Sequence, residues 1–399
     1  MNSVAAGAFS FVGLLGFALV VGLLAERVRI PAAVALVVIG ALVGVIKPFT
    51  LPFSFGPTLL FVFLPPLIFE AAWNLSPAAL RTMARPILTL AIPGVLITSL
   101  VIAGVIVATG ALPFDLAFLL GAILSATDPV AVIAVFRRLR VPVELATLVE
   151  GESLLNDGVA IALFSVALKF ADPALPNPSV PIELAHAALG VIAATGIGIA
   201  AAIGMGAIIR FAQTGAAELT GTIVLAYGSY TIAAGLDLSG VFATAAAGIT
   251  LRRIADRVVT AQSAEEVDRF WDALAYVFNA FVFLATGLAI QADRIFHEPY
   301  LVGVAIVAVL ASRGVLAYFV LPLFPRMRAQ HGSRTTTFVA GIRGGLALAL
   351  ALDLPATVPH RAELIDAVFA VVFVTLAIQG IAIEPVLRRL GFGDAGAAP

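Results

Sequence analysis

A succession of long apolar runs constrains this chain more than any other feature. It begins with AGAFSFVGLLGFALVVGLLA at residues 6 to 25 and recurs as far as residue 387. A helix crossing a hydrocarbon core of roughly 30 Å needs about 20 mostly apolar residues. Backbone in lipid must satisfy its own hydrogen bonds, so runs of this length span as helices. Read with that window and broken at charge and Pro/Gly clusters, the chain has thirteen spans. They lie at 8–25, 30–47, 55–72, 86–109, 113–136, 144–169, 183–210, 216–235, 238–251, 272–290, 300–322, 335–352 and 363–387. Of 399 residues, 61% are hydrophobic and 12% charged, against about 25% charged in a soluble domain. The first run is followed by many like it and reads as a span instead of a cleaved signal.

The loops test this reading independently. With the N-terminus outside, Lys and Arg on the inner loops and C-terminus number 17, including Arg27, Arg29, Arg137, Arg138, Arg140, Arg252, Arg253, Arg257, Arg269, Arg388 and Arg389. The outer loops hold four, Lys47, Lys169, Arg294 and Arg361, and Arg313 and Arg343 fall inside spans. That bias follows the positive-inside rule, places the C-terminus in the cytoplasm and favours an odd number of spans. The longest polar connection, 252 to 271, reads as a short amphipathic cytoplasmic segment, and no stretch is left for a separate soluble domain. A net charge of −1 gives no reason to expect a nucleic-acid partner. The absence of cysteine excludes disulfides and thiolate metal sites, and His186, His297, His331 and His360 lack metal-binding spacing. No GxxxxGK[ST] loop is present, so transport would be secondary or passive, with no cofactor.

An ionisable residue at mid-span costs about 2.5–3.5 kcal/mol on insertion scales and implies a partner or a function. The fifth span contains GAILSATDPVAVIAVF, where Pro129 disfavours an unbroken helix at Thr127-Asp128. Irregular backbone at that depth suits a watery cavity, and transporters use it to hold cations. The sixth contains LVEGESLLNDGVAIALF. Ser153 and Asp157 are one turn apart on one face, and Glu152 and Asn156 form an adjacent pair. A carboxylate with a hydroxyl one turn away is a hard oxygen site for Na⁺ or Li⁺, and in apolar surroundings it takes either that cation or a proton. That competition is the chemistry of an antiporter. In the twelfth span, FVAGIRGGLALALAL sets Arg343 among three glycines, suggesting a second interrupted helix. Arg343 needs an anionic neighbour, for which Glu152 and Asp128 are candidates. Arg313 in the eleventh span is a further candidate functional residue, with snorkelling to an interface as its plainer role. In the third span, LPPLIFEAAW places Glu70 beside two prolines that locally break the helix. The order of spans, with the broken fifth matching the broken twelfth, suggests two inverted six-helix repeats around the seventh.

At these residues the chain resembles the monovalent cation:proton antiporters of the NhaP and sodium/proton exchanger type. SATDPVAV, EGESLLNDGVAIALF, FLPPLIFEAAW and GIRGGLALAL are similar to that family's signatures and stand in its order. The resemblance implies an all-α polytopic membrane protein of about thirteen helices with the interrupted fifth and twelfth crossed. It implies a mobile core domain (spans 3–6 and 10–13), a scaffold (spans 1–2 and 7–9) forming a homodimer, and elevator-like alternating access. Asp157 would bind cation and proton, preceded by Asn156 as in the electroneutral branch that exchanges one cation for one proton. Thr127, Ser153 and Glu70 would complete the Na⁺ shell, Asp128 would stand behind Asn156, and Glu152 would pair with Arg343. Animal-type exchangers often have Asp in place of Glu70 and an alanine after the Arg-Gly of GIRGG. These departures leave ion preference open, and K⁺/H⁺ exchange is the alternative. The short C-terminal tail implies that the regulation of animal exchangers is missing, and a prokaryotic inner membrane is the expected location.

Three other classes fit less well. A sodium-coupled solute symporter needs a larger polar or aromatic pocket. An intramembrane aspartyl protease resembles a GxGD pattern, where this chain reads LLNDGVA, so no enzymatic activity is expected. A passive channel would show a repeated pore motif.

Overall fold

The structure, a computed structural model, describes residues 3–28, 30–46, 57–175, 179–212, 214–258, 261–289 and 298–393. Arg29, Lys47, Arg294 and His297 lie outside these residues. The described chain is helical, with no strand among its residues. The N-terminal part comprises α1 (Ser3–Arg27), α2 (Ala32–Ile46), α3 (Pro57–Asn74), α4 (Pro77–Ala91) and α5 (Pro93–Ala108). Then come α6 (Phe114–Ile123), α7 (Val130–Leu139), α8 (Val143–Ala171), α9 (Val180–Ile209), α10 (Gly215–Ala234), α11 (Gly240–Val258) and α12 (Ala261–Ala289). The C-terminal part holds α13 (Pro299–Val315), α14 (Pro325–Ala329), α15 (Ser333–Val339), α16 (Gly345–Leu352), α17 (Arg361–Val374) and α18 (Gly380–Arg389). A π-helical turn, Leu316–Val320, follows α13, and another, Thr375–Gln379, joins α17 to α18.

Six helical segments among the described residues are long and apolar enough to cross a membrane unaided: Pro77–Ala108, Val143–Ala171, Val180–Ile209, Ser263–Leu288, Pro299–Leu323 and Arg361–Arg389. The expected fifth and twelfth spans do not qualify because each is interrupted. The fifth divides into α6 and α7 around non-helical residues 124–129, and the twelfth into α15 and α16 around 340–344. Proline without an N–H explains the first break and consecutive glycines the second.

Several sequence expectations need correction. The ninth span, α11, continues past the expected residue 251 to Val258, and α12 begins at Ala261, ahead of the expected 272. Pro65 and Pro66 do not break α3, which runs unbroken from Pro57 to Asn74. Pro66 cannot donate to the carbonyl of Val62 four residues earlier, and the Tyr227 hydroxyl of α10 donates to it instead at 2.8 Å. A side chain from another helix thus supplies the missing hydrogen bond.

Spans 3 and 10 pack closely at small residues. Span 10 is α12, and at Gly40 and Gly287 its backbone approaches that of α2 so closely that a β-carbon on Gly40 would lie 3.0 Å from the Gly287 Cα. Span 3 is α3, and at Gly248 of α11 a β-carbon would lie 2.7 Å from the Ala72 Cβ. Small residues of this kind let membrane helices pack through dispersion where no hydrophobic drive exists. Phe69 and Trp73 of α3 share a buried cluster with Trp271 of α12, Leu225 of α10 and Leu251 of α11. Both α3 and α12 therefore pack tightly with the helices expected to form the scaffold. The larger core gathers α4 to α8 with α13 to α18, and residues of α1, α2 and α12 belong to it as well.

Candidate cation site

The two interruptions meet. The backbone N–H of Asp128, in the first, donates to the carbonyl of Ile342, in the second, at 2.8 Å. The Asp128 carboxylate lies against the backbone of Gly344, where a β-carbon would collide with it. Asp128 Oδ1 accepts the N–H of Val130 at 3.0 Å and so stands at the N-terminus of α7, where negative charge is favoured. Only a residue lacking a side chain fits opposite it.

α8 passes beside this junction and pins the first break. Ser153 donates from Oγ to the carbonyl of Thr127 at 2.5 Å, and Asn156 donates from Nδ2 to the Thr127 hydroxyl at 2.7 Å. Ser153, Asn156 and Thr127 are buried. Asp157 takes no part in these bonds: its Oδ1 is buried without a hydrogen-bond partner. Asp128 lines the same cavity as Asp157. An unmatched acceptor there calls for a proton or a cation.

Asp157 lines a cavity of about 680 Å³ together with Thr127, Asp128, Ser153 and Glu70. Five of the expected site residues thus face one space, and Asn156 stands behind it as a hydrogen-bond donor. Glu70, on α3, accepts from Asn74 Nδ2 at 2.6 Å, and Asn74 also donates to Asp272 of α12 at 3.2 Å. The wall carrying Glu70 therefore belongs to α3 and α12, and the wall carrying Asp157 to the two breaks and α8.

Several polar wall residues escaped sequence reading, Glu150, Asp272 and Arg137 among them. Glu150 is seven residues before Asp157 and shares its helix face, a periodicity legible in the sequence. Asp272 and Arg137 also line the cavity, but Asp272 meets Asn74 across 198 residues of chain and carried no local signal.

The expected ion pair is corrected. Glu152 projects away from the cavity, and its partner is Arg313 of α13, not Arg343. Arg313 donates to both carboxylate oxygens, at 2.5 and 3.0 Å, and its Nε donates to the carbonyl of Thr337 at 2.8 Å. Both side chains are 3% exposed, so the pair excludes snorkelling as the role of Arg313. Gly341 makes room for it, since a β-carbon there would lie 2.7 Å from the Arg313 side chain. Arg343 is also buried, and its Nη1 donates to the carbonyl of Gly341 at 3.0 Å.

With this geometry in place, comparison with known proteins decides the lineage. The profile described as sodium/hydrogen exchanger, transmembrane, matches residues 15–389. The chain belongs to the sodium/hydrogen exchanger family. Among the similar family members, the Na⁺/H⁺ antiporter ApNhaP of Aphanothece halophytica is 34% identical over 346 residues, 84% of this chain and 65% of that protein. The low-affinity Na⁺/H⁺ antiporter NhaS1 of Synechocystis is 33% identical over 91% of this chain and 70% of that protein. The chain thus spans about two thirds of the length of these relatives. The exchanger fold itself is seen in the sodium proton antiporter MjNhaP1 of Methanocaldococcus jannaschii. It superposes with a TM-score of 0.79 at 20% identity, covering 98% of this chain and 100% of that one.

Proposed function

We propose that this exchanger is a secondary active Na⁺/H⁺ antiporter in which cation and proton compete for Asp157. The observation that carries the reading is the buried, unpartnered Oδ1 of Asp157 on the wall of the cavity, one turn from the Ser153 hydroxyl. Thr127, Ser153 and Glu70 supply the remaining oxygens, with Asn156 and Asp128 holding the first break in shape. A Na⁺ at Asp157 removes the proton, and a returning proton removes the Na⁺. Li⁺, of the same hard-oxygen preference, is a second substrate. The names of the relatives favour Na⁺ over K⁺. One titrating carboxylate after Asn156 supports electroneutral exchange, one cation for one proton.

The proposed architecture has thirteen crossings, the N-terminus outside and the C-terminus in the cytoplasm of a prokaryotic inner membrane, with the two repeats inverted and their interrupted helices crossed. α4 to α8 with α13 to α18 form the moving core. α1, α2 and α9 to α11 form a dimerising scaffold, joined by α3 and α12 because they pack with it. Alternating access then moves the Asp157 wall past the Glu70 wall.

Cation-driven relaxation of an imposed pH gradient in proteoliposomes tests this. Na⁺ and Li⁺ should collapse the gradient at the same rate with or without a clamped membrane potential, while K⁺ and the Asp157→Asn variant should not. If no monovalent cation moves protons in well-folded protein, the exchange reading is wrong and a solute symporter replaces it.

A further inference from the structure

The face that α12 turns to the cavity carries an amide for which the cation shell described above has no use. Asp272, Ala275, Tyr276, Asn279 and Val282 all line the cavity, at the three- and four-residue spacing that gathers them on one side of a helix. Among the described residues the Asn279 side chain has no hydrogen-bond partner. A side-chain amide offers two donors and an acceptor, and here all of them are left to whatever fills the cavity.

Two contacts fix its height. At one end of the stripe, Asp272 accepts from Asn74 of α3 at 3.2 Å. At the other, Val282 lies against the second break, where a β-carbon on Gly345 would be 2.8 Å from its Cγ1. Gly345 follows Gly344, whose backbone bears on the Asp128 carboxylate, and Ser153 and Asn156 of α8 hold the adjoining Thr127. Asn279 is three residues from Val282, about 4.5 Å along the helix axis, and seven from Asp272, about 10.5 Å. It stands within one turn of the level of the two breaks, on the wall that carries Glu70. The oxygens expected around the cation are partly engaged: Ser153 Oγ donates to the Thr127 carbonyl, the Thr127 hydroxyl accepts from Asn156, and Glu70 accepts from Asn74. Asn279 is uncommitted.

We propose that the Asn279 amide oxygen is a further ligand of the transported alkali cation, reaching it from α12 while Asp157 holds it from α8. The proposal rests on the antiporter reading above. An amide oxygen serves a hard cation as a backbone carbonyl does, by replacing water of hydration, and the spacing of such oxygens favours one ionic radius over another. Unlike a carboxylate, it takes up no proton near neutral pH. Asn279 therefore adds to cation affinity and selectivity without entering the competition between cation and proton at Asp157.

The test measures exchange in proteoliposomes over a range of Na⁺ and Li⁺ concentrations at several pH values, and melting temperature in detergent with and without Na⁺. Asn279→Ala should raise the Na⁺ concentration for half-maximal exchange several-fold, by the same factor at each pH, and change the ratio of the Li⁺ and Na⁺ values. Its maximal rate should stay close to that of the parent. Without Na⁺ its melting temperature should equal the parent's, because no hydrogen bond is lost, and the rise produced by subsaturating Na⁺ should be smaller. Asn279→Asp, which keeps an oxygen at the same reach, should bring the half-maximal concentration back toward the parent's at alkaline pH. An unchanged half-maximal concentration in Asn279→Ala, a loss confined to the maximal rate, or a lower melting temperature without Na⁺ would overturn the assignment. If the parent moves no protons against Na⁺, the antiporter reading fails by itself. A Na⁺-dependent rise in melting temperature that shrinks in Asn279→Ala then still supports the ligand, and equal rises in both proteins reject it.

Discussion

Asp157 and Arg313 illustrate opposite economies of buried charge. Asp157 is held without a hydrogen-bond partner for Oδ1, so replacing it with asparagine removes a site and little stability. Asp157→Asn should fold and melt like the parent, with exchange reduced to less than a few per cent in the proteoliposome assay. Arg313 and Glu152 complete one another, and breaking a buried pair costs about 3–5 kcal/mol because the remaining charge is stranded. Arg313→Ala should therefore show a large loss of melting temperature and yield in detergent, which Arg313→Lys partly restores. The EGESLLNDGVAIALF motif made Asp157 visible in the sequence, and Arg313 was legible only as an arginine inside the eleventh span. The partner of Arg313 was not visible: it meets Glu152 across 161 residues, and nothing local distinguishes Arg313 from Arg343 as the guanidinium that binds it.

At the scale of elements, composition marks where helices break, and neighbours decide whether they do. Pro129 and the glycines around Arg343 both produce real interruptions. Pro65 and Pro66 do not, and the Val62 carbonyl that Pro66 leaves free accepts from Tyr227. Tyr227→Phe should cost about 1 kcal/mol, the net worth of one hydrogen bond, read as a small drop in melting temperature with exchange retained. The junction of the two breaks is less tolerant. Gly344→Ala would push a methyl group into the Asp128 carboxylate, forcing the breaks apart. Exchange should fall at least tenfold, while Gly303→Ala, where nothing lies within 4 Å, should be neutral in the same assay.

For the whole molecule, the expected orientation follows from the loop charges and is directly measurable. In the cysteine-free chain, a cysteine replacing Arg361 should react with an impermeant maleimide added outside intact cells, and one replacing Arg389 only after the membrane is opened. Reaction of both from outside would reverse the topology and with it the direction in which the cavity faces. The α2–α12 contact at Gly40 and Gly287 also bears on the moving parts. It holds α12, and with it Asp272, against α2.

The sequence by itself determined the helical membrane character, the positions of both interruptions and the residues gathered at the cation site. Each depends on local properties: apolar length, the missing N–H of proline, and one-turn spacing of polar groups on a helix. Tertiary structure decided which arginine holds Glu152, what satisfies the carbonyl that Pro66 leaves free in α3, and against which helices α3 and α12 pack. Those outcomes depend on contacts between residues far apart in the chain, where a hydroxyl, a guanidinium or an absent β-carbon meets a partner that no local pattern specifies.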